Sequence, residues 1–131
     1  MKQLGMEARG TQLLAELKDL IERMWLLQPR EQAYAMYYLE RLISTVDDQY
    51  GGVSELSSQQ TKDLSEELRT TATTFGGRDP GRGYAMALCS LYVESHHVPG
   101  PDAAAVRVTL TTTIDDLRKA AKDEATYVRL H

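Results

Sequence analysis

The run Tyr84–Val93, which reads YAMALCSLYV, contains a single polar side chain, Ser90. A helix that is apolar on every face belongs inside a protein, surrounded by other elements. The run is also well short of the about 20 apolar residues that a membrane crossing needs. The sequence therefore predicts a central buried helix against which the rest of the chain packs.

The residues on either side of this run give the helix a beginning and an end. Asp79 has the acceptor side chain that an N-cap requires, and Pro80 has the fixed φ that suits the first helical position. Beyond the run, the segment 98–101 reads VPGP, and a helix cannot continue through it. We therefore predict the central helix over Pro80–His97.

Apolar residues at spacings of three and four predict four further helices. A capping box at Ser57 and Gln60 starts the third of them, and Asp102 is placed to cap the fifth at Ala103. The predicted helices cover residues 11–28, 29–50, 58–75, 80–97 and 103–129. Residues 1–10 show little pattern and are expected to be partly disordered. The sequence thus predicts an all-α, single-domain bundle of about five helices over residues 1–131.

The second predicted helix carries a group of aromatic side chains among arginines. At 100° per residue its core stripe passes through Ala35, Tyr38, Leu39, Leu42 and Val46, which turns Tyr37 away from the core. Tyrosine, tryptophan and arginine are enriched in protein interfaces and their hot spots. The pattern predicts a partner-binding surface of six residues: Trp25, Leu26, Arg30, Tyr34, Tyr37 and Arg41. Scattered surface apolar residues, which are normal, are the alternative.

The loop at residues 76–83, GGRDPGRG, supports a different function. It resembles a P-loop only loosely, because Arg82 and Gly83 stand where lysine and serine or threonine are required. A helix N-terminus with nearby arginines nevertheless favours anions. An alternative function is therefore binding of a small phosphate or nucleotide by Arg78, Gly81, Arg82 and Gly83, against a simple turn with solvated arginines.

A third interpretation concerns the end of the central helix. Glu94 and His97 share a helical face, and Glu-x-x-His is half of a dimetal carboxylate motif. The second half of the motif is missing, because the other two histidines of the chain are His96, the neighbour of His97, and His131. A mononuclear metal site at Glu94, His96 and His97, and hence a metal-dependent enzyme, is the second alternative; a polar helix end is the simpler interpretation.

Composition excludes several classes of protein. A single cysteine, Cys89, cannot form an internal disulfide, and its position in the apolar run indicates a packing role. The net charge of −4 is spread over both halves of the chain, without the basic face typical of nucleic-acid binding. The first ten residues lack the apolar core of a signal peptide.

We therefore expect a cytoplasmic, non-enzymatic interaction protein, such as an adaptor, small subunit or inhibitor. Its partner is expected to be another protein or a second copy of this chain, with no membrane partner and no cofactor. The support is the aromatic and arginine pattern on the second helix, together with the lack of a catalytic motif in the sequence.

Overall fold

The computed structural model describes the backbone of residues 2–122 and the side chains of residues 8–122. No strand occurs in this part of the chain, so the predicted all-α bundle is confirmed. Val128, Arg129 and His131 lie outside the described residues. Residues 2–122 form five α-helices, with a short 3-10 helix, Val53–Glu55, between the second and third: α1 (Lys2–Met24), α2 (Pro29–Tyr50), α3 (Ser58–Phe75), α4 (Pro80–Ser95) and α5 (Pro101–Ala121).

Helix α4 is the centre of the bundle, as its apolar sequence predicts, and it packs against all four of the other α-helices. The hydroxyls of Ser90 and Ser95 are buried, but they donate to the carbonyls of Ala87 (2.6 Å) and Tyr92 (2.8 Å) within the helix. The two buried hydroxyls of this helix are thereby satisfied without water. Among residues 2–122, no helix combines the length and the apolar content that a bilayer crossing requires.

The other helices surround α4 unevenly. Helix α5 packs against both α1 and α2, whereas α3 makes its extensive contact with α4. The space between α1 and α3 is therefore bridged by side chains rather than filled by close helix packing.

Most helix ends follow the predicted caps. The capping box is present, with the Gln60 N–H donating to Ser57 Oγ (3.1 Å) and the Ser57 N–H donating to Gln60 Oε1 (2.8 Å). Gly51 ends α2 in the left-handed conformation, with φ of 75°. Helix α5 differs from the prediction. It begins at Pro101 after Gly100 (φ 103°), and Asp102 lies in its first turn instead of capping it.

Helices α1, α2 and α4 also differ from their predictions. Helix α1 spans Lys2–Met24 instead of residues 11–28, and α4 ends at Ser95 instead of His97. In α2, Ala33 and Met36 are fully buried although the predicted stripe omits both. The reason is that α2 packs against α4 on one side and α5 on another, so its buried arc is wider than a single stripe.

The threonine-rich parts of α3 and α5 are helical despite their low intrinsic propensity. Hydroxyls in both helices donate to carbonyls one turn earlier, for example Thr113 to Thr109 (2.8 Å) and Thr73 to Arg69 (3.1 Å). Such local bonds satisfy the side chain but add little helix stability, so packing against α4 for α3, and against α1 and α2 for α5, must hold these segments.

Candidate functional site

Three tyrosines of α2 lie together with arginine side chains over their rings. The rings of Tyr34 and Tyr38 are stacked with centroids 6.2 Å apart, and Tyr37 meets Tyr38 edge to face at 5.3 Å. The guanidinium carbon of Arg30 lies 5.8 Å from the centroid of Tyr34, and that of Arg41 lies 5.5 Å from Tyr37. We call this group, together with Arg82, the tyrosine–arginine surface.

Arg82, in the first turn of α4, packs against the tyrosines of α2 and is the sixth residue of the surface. Its guanidinium carbon lies 4.2 Å from the ring centroid of Tyr38 and 4.9 Å from that of Phe75. It also donates to Tyr38 Oη (2.7 Å) and forms an ion pair with Asp79 (3.7 Å). Arg82 therefore ties α2, α3 and α4 together, whereas the sequence placed it in a solvated loop.

The tyrosines and the arginines of this surface differ in solvent exposure. Tyr34, Tyr37 and Tyr38 are partly buried, while Arg30 and Arg41 are exposed. Tyr37 lies outside the core cluster, in line with its predicted outward position, and its ring contacts Tyr38 and Arg41. The three rings consequently restrain one another.

Trp25 and Leu26, which the sequence assigned to the same surface, follow the end of α1 and differ in exposure. Leu26 is 86% exposed, whereas Trp25 is partly buried and packs against the core. The turn that separates them from α2 is fixed by Gln32, whose amide donates to the carbonyls of Trp25 (3.1 Å) and Leu27 (3.0 Å). Nothing in the apolar pattern identified Gln32, although a polar side chain in the first turn of a helix that follows a short linker is the signal that could have.

The carboxylates next to this surface are engaged inside the protein. Glu31 Oε2 accepts from the Gly81 N–H (3.1 Å), and Glu40 pairs with Arg118 (2.5 Å). Asp79 Oδ1 accepts from the Arg82 N–H (3.4 Å). All three acidic side chains are partly buried, so the outer edge of the surface is formed by arginines.

The predicted anion loop is closed by helix packing. A Cβ placed on Gly81 would lie 2.5 Å from the Glu31 carbonyl oxygen and 2.8 Å from Tyr34 Cβ. One placed on Gly83 would lie 3.2 Å from the Ala72 carbonyl oxygen. These glycines let α2 and α3 approach the start of α4, which is a packing role and not a ligand-binding one.

The donors of that loop are occupied as well. The backbone N–H groups of Gly81 and Arg82 both point to carboxylates of this chain, and the Arg82 guanidinium lies between aromatic rings. Arg78 is exposed and stands apart from these contacts. The residues Arg78, Gly81, Arg82 and Gly83 are thus not assembled into an anion site.

At the other end of α4, Glu94 is held by two arginines. Arg9 Nη2 lies 2.9 Å from each oxygen of the Glu94 carboxylate, and Arg69 Nη2 donates to the same group (3.1 Å). Arg69 also donates to Glu16 (2.8 Å). This ion network links α1, α3 and α4 across the gap between α1 and α3.

The two histidines next to Glu94 have different neighbours. His97 Nε2 lies 3.2 Å from the Val53 carbonyl oxygen, while the His96 ring meets Tyr92 edge to face at 4.8 Å. The described part of the chain places no three His, Cys, Asp or Glu side chains where they could share a metal ion. The proposed ligands Glu94, His96 and His97 therefore do not converge.

Cys89 lies in the interior of α4 and is fully buried, as its place in the apolar run predicts. Burial raises the pKa of its thiol to about 12, so the thiol stays protonated at neutral pH. The tyrosine–arginine surface and the ion network lie at opposite ends of α4. The chain matches no known protein family, no curated protein and no solved structure.

Proposed function

We propose that this chain is a non-enzymatic interaction module that binds an acidic segment of another protein through the tyrosine–arginine surface. The observation that carries the proposal is the stacking of Arg30, Arg41 and Arg82 on the rings of three adjacent tyrosines. Tyrosine and arginine dominate interface hot spots because both offer large flat surfaces with polar edges.

The arrangement lowers the entropic cost of binding. Tyr34, Tyr37 and Tyr38 already restrain one another through ring contacts, so fewer rotamers are lost when a partner docks. The Arg41 side chain is exposed, and a guanidinium over a ring can still present N–H groups in its own plane. Carboxylates of a partner can therefore bind those N–H groups as charge-assisted, bidentate pairs.

A small depression beside the surface suits an anchoring side chain. It has a volume of about 250 Å³ and is bounded by α2 and the start of α4, with Tyr38, Arg41 and Met86 in its wall. Hot-spot residues commonly insert into such depressions. We infer that the partner segment presents one apolar side chain to this depression and acidic residues to the exposed arginines.

The test is capture of binding proteins by the full chain and by surface variants. A partner of this surface should be captured by the wild type, lost with Arg41→Glu and weakened with Tyr37→Ala. Val108→Ala on α5 is the matched control, since Val108 is 67% exposed and lies on another helix. Truncating a hot-spot tyrosine costs about 2 kcal/mol of binding, which is about a thirtyfold increase in Kd.

Two further measurements test whether the partner is a second copy of this chain and whether Tyr37→Ala affects folding. Sedimentation velocity of the wild type and of Arg41→Glu shows whether the partner is a second copy of this chain. Urea denaturation should show that Tyr37→Ala loses only the about 0.5–1.5 kcal/mol of its ring contacts. Capture that is equal for the wild type, Arg41→Glu and Tyr37→Ala would refute this use of the surface.

A further inference from the structure

The ion network of Arg9, Arg69 and Glu94 forms part of the wall of a cleft between α1 and α3. The cleft has a volume of about 560 Å³, and the C-terminal end of α4 forms part of its lining. Volumes of about 300–1,000 Å³ are typical of small-molecule sites. Its α3 side is a polar face that includes Ser58, Thr61, Lys62 and Ser65.

Thr61, in the first turns of α3, has a hydroxyl that is buried without a hydrogen-bond partner among the described residues. The residue is only 5% exposed, yet it contributes to the lining of the cleft. Buried polar atoms nearly always have a partner, since leaving one unpaired is costly. An oxygen atom of a bound molecule would supply the missing acceptor.

Lys62 is the cation of the lining that is available to an anion. Arg9 and Arg69 are already paired with Glu94 and Glu16, whereas Lys62 is exposed and forms no ion pair among the described residues. The cleft also reaches Ser58, the first residue of the 18-residue helix α3, whose N-terminal end attracts negative charge.

We propose that this cleft binds the phosphoryl group of a small phosphate monoester, with Lys62 and the Thr61 hydroxyl as its ligands. A phosphoryl group has three strongly accepting oxygens, and the α3 side of the cleft offers donors to them from the hydroxyls of Ser58, Thr61 and Ser65 and the ammonium group of Lys62. The cleft is larger than a phosphate ion alone requires, which leaves room for the organic part of an ester.

The proposal is tested by titrating the full chain with three probes while following backbone amide shifts by NMR: ribose 5-phosphate, inorganic phosphate and ribose. Ribose 5-phosphate should give saturable shifts at residues 58–65 and 94–98, with weaker binding of phosphate and none of ribose. Equal affinity for ribose 5-phosphate and inorganic phosphate would overturn the assignment to an ester. No saturable shift with any of them would overturn the site.

Two variants distinguish a ligand role from a structural one. Lys62→Gln should raise the Kd for ribose 5-phosphate about tenfold, the effect of one charged hydrogen bond, whereas Lys119→Gln on α5 is the control that should not. Thr61→Val should weaken binding without lowering Tm, because the hydroxyl has no partner in the free protein. Unchanged binding of ribose 5-phosphate by both Lys62→Gln and Thr61→Val would refute the proposal. Both variants should still capture a protein partner, which separates this cleft from the tyrosine–arginine surface.

Discussion

The two ends of α4 are built in opposite ways. In its first turn, the N–H groups of Gly81 and Arg82 have acceptors, and neighbouring backbones approach closely. In its last turn, Glu94 reaches its partners through long arginine side chains, and His96 Nε2 is buried with no partner among the described residues. The N-terminal end of α4 is closed by direct backbone packing, whereas at the C-terminal end long side chains bridge a gap between helices.

The difference shows where this bundle has space for a ligand. Glycines at a helix start usually suggest a phosphate site. Here they let α2 and α3 pack closely on α4, and carboxylates of Glu31 and Asp79 accept from the backbone N–H groups that a phosphate would need. Long ionic side chains hold α1 and α3 apart and leave a cleft between them. Small residues at a helix crossing can therefore close a site, while an ion network can keep one open.

The largest effect should come from breaking the sealed end with Gly81→Ala. The added methyl would meet the Glu31 carbonyl oxygen at 2.5 Å, so α2 and α4 must separate. Overpacking of this kind costs about 1–3 kcal/mol, more than the helix propensity gained from alanine. Urea denaturation measures the loss in the free energy of unfolding.

The control for this substitution is Gly77→Ala in the same loop. A Cβ on Gly77 would meet nothing within 4 Å, and its backbone is not in the left-handed region. Its stability should be unchanged or slightly increased, because alanine reduces the freedom of the unfolded chain. If the two variants unfold at the same urea concentration, the start of α4 is not sealed in the way the structure shows.

A smaller effect should follow from Arg82→Ala. This substitution removes a guanidinium held between Tyr38 and Phe75, and cation–π contacts of partly buried arginines contribute about 0.5–2 kcal/mol. Arg78→Ala, in the same loop but exposed, should change the free energy of unfolding by less than about 0.5 kcal/mol. Thermal melts of both variants make the comparison. Equal losses would mean that the aromatic contacts of Arg82 add nothing.

The smallest effect concerns the open end and depends on pH. Burial, Arg107 and His97 lower the pKa of His96 below its usual value, with Asp47 acting in the opposite direction. The unfolded chain therefore binds this proton more readily than the folded one. Stability contributed by neutral His96 is full above about pH 6.5 and is lost as the pH falls below that value.

Urea denaturation between pH 7.5 and pH 5 measures this loss. His96→Asn should show a shallower fall in stability than the wild type over that range. Arg107→Gln removes the nearby cation but keeps a donor for the Ser95 carbonyl, which Arg107 contacts at 2.5 Å, and should also flatten the profile. Parallel profiles for all three proteins would show that His96 does not sense the charge around it.

Sequence alone determined the elements of this fold. The periodicity and capping of consecutive residues are local properties, and Ser57 with Gln60 and Asp79 cap α3 and α4 where the sequence placed them. The apolar run of α4 likewise required burial on every side. Sequence also grouped Tyr34 and Tyr37 with Arg30 and Arg41, because residues three and four apart on a helix are neighbours.

Tertiary structure decided which distant side chains meet. Arg82 and Tyr38 are 44 residues apart, and Arg9 and Glu94 are 85 apart, so no helical spacing connects either pair. Their pairing depends on which helices pack against α4 and how closely. That arrangement follows from the fit of side chains across helix surfaces, which a one-dimensional pattern does not contain.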